Sequence, residues 1–376
     1  MSNDAERRAR LALAVVNEPG SVRRDADVDR LGAEEVWQRL VTAKKPSAAV
    51  VRAKRLDIEA VERETRLRGM RFVIPGDSEW PASLDDLSAA GGVGDSCGGA
   101  PYGLWVVGPG NLASSTEPSI AVVGSRAATA YGESVASEIS AGLAGVGVGI
   151  VSGGAYGIDA AAHRGALGGG GATVAVMACG LTSLYPRGND GLLSRIARDH
   201  VVVSEYPPGT PPNRSRFLSR NRLIAALGDA TLLVEAAARS GARNTVSWAQ
   251  ALGRPVLAVP GPVTSAQSLT PHRLVRDGVA ALVTDVADIL SELGPLGVFQ
   301  PYLVDPCRRP TDDLLPDELA IHEAMPSRGG RWVEELVAST GLEPRACMEV
   351  LTRLESKGLV DLADDGQWRL TSIPTG

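Results

Sequence analysis

The chain has 376 residues, 44% of them hydrophobic, and a formal net charge of −6. This length predicts two or three domains, and no apolar run approaches the ~18 residues that a membrane-spanning helix needs. The acidic, arginine-rich start does not resemble a signal peptide, so we expect a soluble, cytoplasmic protein without a membrane partner.

The charge is unevenly distributed along the chain. Residues 118–290 contain 14 arginines, no lysine and 11 acidic residues, whereas residues 291–376 contain 8 basic and 15 acidic residues. The acidity therefore lies mainly outside the central region, which remains a candidate for binding a polyanion.

The four cysteines lie far apart and form no C-x-x-C pair. This spacing is typical of buried or incidental thiols, and it predicts neither a metal site nor a cofactor. The cysteines are Cys97, Cys179, Cys307 and Cys347.

Residues 1–70 are predicted to form a small helical domain, with apolar clusters at 11–16, 31–40 and 48–61. One stretch of this region contains five basic residues and no acid. A solvated helical face is the simpler interpretation, and an auxiliary nucleic-acid surface is the alternative. The five residues are Lys44, Lys45, Arg52, Lys54 and Arg55.

Residues 71–117 are predicted to be an irregular linker. Leu87–Pro101 is rich in glycine, as is typical of a flexible loop. Leu104–Val107 is predicted to be an edge strand of the main sheet.

Residues 118–295 are predicted to form an α/β domain. Ile120–Val123 and Val148–Val151 are typical of strands buried on both faces, and a helical periodicity separates them. Such a unit implies parallel strands with a right-handed crossover. A glycine turn follows each strand, so both turns fall at the carboxyl edge of one sheet, where open α/β sheets bind ligands. The turns supply the first candidates for an anion site: Gly124, Ser125, Arg126, Gly153 and Gly154.

Strands and helices continue to alternate through this domain. Repeated β-then-α order indicates a parallel sheet with helices on both faces. The further predicted strands are Thr173–Ala178, Val201–Glu205, Thr231–Glu235, Val256–Val259 and Ala281–Thr284. The loop after the third of these adds Ser240 and Gly241 as candidate donors to an anion.

Residues 213–222, NRSRFLSRNR, hold four arginines and no acid: Arg214, Arg216, Arg220 and Arg222. They are predicted to form a loop, with the next helix beginning near Ser219. Guanidinium groups this close repel one another unless an anion meets them. Phe217 lies among them, and this combination suits a single strand, whose phosphates meet arginine while a base stacks. The alternative is that each arginine is salt-bridged separately, to Asp190, Glu205, Asp229 or Glu235.

No catalytic constellation stands out. The phosphate-loop motif G-x-x-x-x-G-K-[ST] is missing. His163 follows Asp159 at i,i+4 spacing, which favours an ion pair or a cap over acid–base catalysis. His272 has no obvious nucleophile near it in sequence. We do not expect an enzyme.

The chain resembles the DNA-processing protein A family in several motifs that occur in the family's order. The motifs are VVGSR (122–126), VSGGAYGIDAAAHRGAL (151–167), ACGLTSLYPRGN (178–189), SEYPPGTPP (204–212), RNRLIAAL (220–227), LLVEAAARSGARNT (232–245) and RPVLAVPG (254–261). The resemblance implies an extended Rossmann-like domain that binds single-stranded DNA and forms a homodimer. It also implies that the protein helps to load the RecA recombinase, as in natural transformation, and the family is not known as a catalyst.

The resemblance implies phosphate contacts for individual residues. The family's arginine after the first glycine turn is Arg126, and its basic residue after the Tyr-Pro pair is Arg187. Its RNR signature is Arg220, Asn221 and Arg222.

The chain also departs from the family pattern. Leu218 and Ser219 replace a proline and a commonly basic residue before the RNR signature. Thr270 stands where the family has glycine, and Asn244 where an apolar residue is usual. These changes concern local loop shape.

Residues 313–372, after a predicted linker at 296–312, resemble the winged-helix domain that many family members carry. Helical periodicity and a closing strand at Trp368–Leu370 support this interpretation. The candidate recognition helix, Glu343–Lys357, holds three basic and three acidic residues. A DNA reader should be more basic, so we expect a protein contact or a regulatory role.

The sequence therefore favours a non-catalytic, sequence-independent single-stranded DNA-binding recombination mediator. One alternative is an enzyme or sensor that binds a nucleotide derivative, related to glycine-rich phosphoribohydrolases and using a carboxylate such as Glu235. Another is a duplex-binding regulator, which the balanced charge of Glu343–Lys357 disfavours.

Overall fold

The computed structural model describes residues 4–19, 22–93, 98–293, 311, 314–326 and 329–371. The chain divides into two compact units, Met1–Pro301 and Tyr302–Gly376. Cys97, Cys307 and nearly all of the predicted linker at 296–312 lie outside the described residues. Within the described part of the chain, no helix is both long and apolar enough to cross a bilayer.

The first unit begins with five helices. Two of them start at side-chain caps: the Ser47 hydroxyl accepts a bond from the Val50 N–H, and the Asp57 carboxylate accepts one from Ala60. The helices are α1 (Asp4–Val16), α2 (Val22–Leu31), α3 (Ala33–Thr42), α4 (Ala48–Arg55) and α5 (Ile58–Leu67).

These helices share an apolar core with the sheet that follows. Leu11 and Leu13 of α1 are buried in the same cluster as Trp105 and Met177. The predicted helical region thus packs directly on the α/β region, and the two belong to one compact unit.

The centre of this unit is a nine-stranded sheet with the order β1-β2-β6-β5-β4-β3-β7-β8-β9. Neighbours from β6 to β9 pair in parallel, while β1 and β2 are antiparallel additions beyond β6. The strands are β1 (Arg71–Val73), β2 (Leu104–Val107), β3 (Ser119–Val123), β4 (Gly149–Ser152), β5 (Thr173–Met177), β6 (Val201–Ser204), β7 (Ala230–Leu233), β8 (Val256–Ala258) and β9 (Ala281–Leu282).

The parallel sheet predicted from the sequence is confirmed, with one correction at its margin. The strand β2 was expected at the edge, but it lies between β6 and β1. The sequence analysis missed β1 because three residues, Arg71–Val73, are too short to show an alternating pattern.

Helices cover both faces of the sheet because consecutive strand residues point to opposite sides. In β3, Ile120 and Val122 pack with α6 and α7, whereas Ala121 and Val123 pack with α9 and α10. The helices are α6 (Ala130–Gly145), α7 (Ile158–Gly168), α8 (Asp190–Asp199), α9 (Arg214–Leu227), α10 (Ala242–Ala251), α11 (Leu269–Arg276) and α12 (Val286–Glu292). Short 3₁₀ helices lie at Ala82–Ser88, Ser114–Thr116, Arg187–Asn189 and Ala266–Ser268.

The strand order reverses at β3. From β3 the chain adds β4, β5 and β6 on one side and then crosses back to place β7 on the other side. The loop after β3 leads to α6 on one face, and the loop after β7 leads to α10 on the opposite face. Such a reversal opens a crevice at the carboxyl ends of the strands.

The second unit contains three helices and a hairpin, the arrangement predicted for this region. The elements are α13 (Pro316–Ala324), α14 (Val333–Thr340), α15 (Pro344–Ser356), β10 (Val360–Leu362) and β11 (Trp368–Leu370). Gly341 and Gly358 end α14 and α15 with left-handed backbone, at φ 71° in both, where a side chain would be strained.

The cations of the predicted recognition helix are paired within the second unit. Arg353 and Lys357 contact the buried carboxylate of Glu318 at 3.1 and 2.6 Å, and Arg345 pairs with Glu349 at 3.2 Å. The hydrogen bond from Lys357 makes the largest contribution to lowering the pKa of Glu318, to about 2, and the bond from Arg353 adds to it. The helix therefore presents little uncompensated positive charge.

Candidate nucleic-acid interface

A cleft of about 960 Å³ opens at the reversal point of the sheet. Its walls are the loop after β3, the loop after β7 and the first half of α9. Nine of the predicted site residues line it: Gly124, Ser125, Arg126, Arg214, Phe217, Arg220, Asn221, Ser240 and Gly241. Asp159, Tyr185 and Arg239 also line it, and the sequence analysis did not assign them to the site.

The arginine-rich stretch is helical, which corrects the predicted loop. Helix α9 begins at Arg214 rather than near Ser219, because the Asn213 side chain caps it by accepting a bond from the Arg216 N–H at 2.9 Å. Successive residues on a helix point about 100° apart. Arg216 and Arg220, four residues apart, therefore share one side of the helix, whereas Arg214 and Arg222 point elsewhere.

Three arginines at the mouth of the cleft, the rim arginines, are exposed: Arg126, Arg214 and Arg239. Within the described residues none of them is ion-paired to a carboxylate. The rim therefore carries three arginines without an ion pair among the described residues, although the buried Asp159 in the same cleft interacts electrostatically with Arg126.

Two aromatic rings accompany the rim arginines. The Arg126 guanidinium lies over the Phe217 ring, 4.7 Å from its centroid. Tyr185 packs beside Phe217, with ring centroids 5.8 Å apart. A guanidinium over an aromatic face is a cation–π contact, which orients both groups at the cleft mouth.

Arg220 lies at the bottom of the cleft and is 4% exposed. Its guanidinium donates to the Gly153 carbonyl at 2.8 Å and to the Val176 carbonyl. A Cβ at Gly153 would overlap this guanidinium, so a side chain there would displace Arg220 from its position. Burial is the main cause that lowers the pKa of Arg220, to about 10, and burial raises the pKa of the neighbouring Asp159.

Arg222 does not reach the cleft, which corrects its predicted position. Its side chain has 0% exposure and makes a two-pronged pair with Glu205, with both N···O distances 2.7 Å. This outcome matches the salt-bridge alternative for that residue. We call Arg220 and Arg222 the buried arginines, in contrast to the rim arginines.

The remaining predicted cations lie outside the cleft. Arg216 pairs with Glu18 at 2.9 Å and lies over the Tyr206 ring, 5.3 Å from its centroid. Arg187 is exposed and lines a separate hollow of about 490 Å³ with Thr182 and Asp190.

The predicted glycine and serine donors mainly shape the turns. Gly154 has a left-handed backbone, at φ 68°, and its carbonyl accepts a bond from Asn189 at 3.0 Å. The Ser125 and Ser240 hydroxyls accept bonds from backbone N–H groups two residues ahead, at 3.1 and 3.3 Å. Gly241 immediately precedes α10, where backbone N–H groups favour an anion.

Two departures from the family pattern have identifiable contacts. Thr270 holds the loop after β7, because its hydroxyl donates to the Ala237 carbonyl at 3.0 Å. Asn244 lines the cleft, and its side-chain oxygen accepts a bond from Asn221 at 3.3 Å. Both residues therefore support the cleft wall.

The candidate catalytic groups are occupied by structural bonds. The Glu235 carboxylate accepts from the Thr129 N–H and hydroxyl, at 2.9 and 2.6 Å, at the start of α6. His163 lies 2.8 Å from the Thr173 hydroxyl rather than pairing with Asp159, and burial lowers its pKa to about 3. His163 is therefore a neutral core residue.

Residues 71–294 match the family model described as DNA recombination-mediator protein A. A DNA processing protein DprA of Mycobacterium tuberculosis is 47% identical over 313 residues, which cover 82% of this chain and 79% of that protein. The DNA processing protein DprA of Streptococcus pneumoniae is 44% identical over 183 residues, covering 49% of this chain and 64% of that protein.

Two solved structures are also similar. The X-ray structure of DprA from Streptococcus pneumoniae has a TM-score of 0.65 and 30% identity, and the match covers 78% of this chain and 100% of that one. A structure of DprA from Helicobacter pylori, described for its single-stranded DNA binding mode, has a TM-score of 0.50 and 26% identity over 59% of this chain and 95% of that one.

Proposed function

The chain belongs to the DNA recombination-mediator protein A family, and from that premise we propose that it binds single-stranded DNA in the cleft at the sheet reversal. The observation that carries the proposal is that three rim arginines and two aromatic rings lie together at the cleft mouth. None of the three arginines has a carboxylate partner among the described residues. Single-strand sites combine positive charge for phosphates with aromatic platforms for bases.

In this proposal each part of the cleft has a separate task. The rim arginines, Arg126, Arg214 and Arg239, bind phosphates, and the rings of Phe217 and Tyr185 stack on bases. The turns at Gly124–Ser125 and Ser240–Gly241 border the same strand, but the Ser125 and Ser240 N–H groups already donate to the Glu235 and Ala237 carbonyls, at 2.7 and 3.1 Å. Arg187 lies two residues beyond Tyr185 and continues the positive path outside the cleft.

The buried arginines act indirectly. Arg220 holds the turn after β4 through the Gly153 carbonyl, and Asn221 lies beside it in the cleft wall. Arg222 is left out of the DNA contacts because Glu205 already satisfies it. We infer that replacing Arg220 weakens binding by disturbing the cleft.

We further propose that the protein is a recombination mediator in the cytoplasm, which protects single-stranded DNA and helps to load RecA, as in natural transformation, and that it works as a homodimer. Family membership supports this role. Arg345, Arg353 and Lys357 are all paired within the second unit, and this supports a protein contact or regulation for α15 rather than duplex reading.

The rival function, an enzyme or sensor for a nucleotide derivative, needs a free carboxylate in the cleft. Glu235, its candidate, does not line the cleft and is engaged by Thr129. The carboxylate that does line the cleft is Asp159, which is buried and accepts a bond from the Ala155 N–H at 3.3 Å. The rival predicts tight binding of a mononucleotide and no gain with oligomer length, so the two functions are separable by titration.

The deciding measurement is fluorescence anisotropy of labelled single-stranded oligomers of increasing length, compared with a duplex at two salt concentrations. We expect tighter binding with length, preference for single strands and strong weakening by salt, because counterions are released from the phosphates. Arg126→Ala and Arg220→Ala should weaken binding to every sequence alike. Unchanged binding by Arg126→Ala would overturn the site assignment.

A further inference from the structure

We propose that the basic surface around α4 is a second phosphate-binding surface, which continues the path of single-stranded DNA beyond the cleft. This inference rests on the proposed function. The α4 surface consists of five residues: Lys44, Lys45, Arg52, Lys54 and Arg55.

All five side chains are exposed, and none is ion-paired to a carboxylate in the described part of the chain. Two of them are anchored through single donors. The Arg52 Nε donates to the Val16 carbonyl at 2.7 Å, and the Lys54 Nζ donates to the Ala43 carbonyl at 3.1 Å. Arginine has five N–H donors and lysine three, so both keep donors for a phosphate.

The acidic residues that follow α4 in the chain are already engaged. The Asp57 carboxylate caps α5 by accepting a bond from the Ala60 N–H at 2.9 Å. Glu59 lies 3.4 Å from Arg8. Neither of them pairs with a cation of the α4 surface.

The α4 surface is connected to the cleft through the end of α1. Arg52 binds the Val16 carbonyl, and Glu18 binds Arg216 at 2.9 Å. Val16 and Glu18 are two residues apart, so their Cα atoms are separated by at most ~7 Å. Arg216 in turn directly precedes Phe217 at the cleft mouth. Positive side chains therefore extend from the aromatic rim to α4.

Within the described residues, the Arg216–Glu18 pair is the one ion pair along this path. The Glu18 side chain is 68% exposed and that of Arg216 is 16% exposed. Glu18 can therefore turn into the solvent and leave the Arg216 guanidinium to a phosphate of the strand.

A polyanion with a flexible backbone fits this geometry. Five cations lie close together in a chain whose net charge is −6, and such a cluster is stabilised when an anion meets it. Single-stranded DNA supplies regularly spaced phosphates that can follow a curved positive surface without base recognition.

The test compares affinities for a short oligomer of ~6 nucleotides, which the cleft alone can hold, and a long one of ~30 nucleotides. The variant is Lys45→Glu with Arg55→Glu, because neither side chain makes a hydrogen bond in the described structure. The matched control is Arg195→Glu with Arg198→Glu on α8. That pair changes the same net charge and lies near the amino-terminal end of β6, whereas the cleft lies at the carboxyl ends of the strands. Both control arginines contact Asp199, at 3.9 and 2.8 Å.

We expect the α4 variant to bind the long oligomer about tenfold more weakly than the unmodified protein, with a salt slope shallower by about 1.4, as for two lost phosphate contacts. The short oligomer should bind the α4 variant and the unmodified protein with equal affinity. The control variant should bind both the short and the long oligomer as tightly as the unmodified protein does. Equal affinity for the long oligomer, or an equal loss at both lengths, would overturn the inference.

Two further measurements distinguish a loss of DNA contacts at α4 from a folding defect and from a failure of the cleft proposal. Lys45→Gln with Arg55→Gln, checked by circular dichroism, should show the same length-selective loss at smaller size. If the unmodified protein fails to bind the short oligomer, or Arg126→Ala leaves that binding unchanged, the cleft proposal fails, whatever the α4 variants do.

Discussion

The rim arginines and the buried arginines have the same side chain and opposite surroundings. Arg126 and Arg214 are exposed at the cleft mouth, and no carboxylate among the described residues pairs with them. Arg220 and Arg222 are enclosed: Arg220 donates from one terminal nitrogen to two backbone carbonyls, while its Nε has no partner among the described residues, and Arg222 is paired with Glu205. The comparison teaches that arginine density in a sequence does not measure the charge available to a ligand. Available charge depends on what each guanidinium already binds.

The largest expected effect is a loss of folding stability when a buried arginine is removed. Arg222→Ala leaves Glu205 buried without its partner, and removing one member of a buried pair costs about 3–5 kcal/mol of folding stability. Urea unfolding should show this loss. The double variant Arg222→Met with Glu205→Leu should recover most of it, because an apolar pair of similar size needs no counter-charge. A single variant as stable as the parent would contradict the pairing.

The next effect concerns the aromatic part of the rim. Phe217→Ala should weaken binding of single-stranded oligomers by about 1–3 kcal/mol, since one stacked base is lost. Folding stability should change little, because Phe217 is only half-buried. Phe217→Tyr keeps the ring and should bind normally in the anisotropy titration. Equal losses in both variants would exclude stacking as the role of this ring.

A third prediction extends the comparison to paired cations in the second unit. The folded pKa of Glu318, about 2, lies below its ordinary value of 4.5. The ionised carboxylate therefore contributes stability above about pH 4.5, and that stability is lost as the pH falls towards 2. Unfolding of this unit, followed by tryptophan fluorescence, should shift to lower urea concentration across that window.

Glu318→Gln is the control for this pH dependence. It removes the titrating group, so the variant should be less stable at pH 7 and should lose less further stability on acidification. A variant with the same dependence between pH 4.5 and 2 as the parent would show that other groups cause it.

The smallest effect is expected for a single rim arginine. Arg214→Ala removes one exposed cation, so affinity should fall only a few-fold and the salt slope should become shallower by about 0.7, as for one phosphate on a single strand. Urea unfolding should be unchanged, since the described structure holds no ion pair of Arg214. Arg195→Ala, on α8 near the amino-terminal end of β6 and away from the cleft, is the control and should leave the slope unaltered.

Much of the architecture followed from local patterns. The runs around Ile120–Val123 and Val148–Val151 predicted β3 and β4 to within one residue at either end, because strands buried on both faces need consecutive apolar residues. The strand at Arg71–Val73 was missed since three residues carry too little periodicity. The start of α9 was misplaced because the capping role of Asn213 was overlooked.

The sequence by itself determined that glycine turns follow parallel strands, and therefore that any ligand site lies at one edge of the sheet. It also brought Arg126 and Phe217 into the candidate site. Only the tertiary structure decided which cations face that site. Helical geometry turns Arg220 and Arg222 away from each other, and Glu205, in the loop just after β6, neutralises Arg222. Arg239 enters because the reversal of strand order brings the loop after β7 beside the loop after β3. The charge that an arginine can offer to a ligand depends on partners that are distant in sequence. Only the folded chain brings those partners close to it.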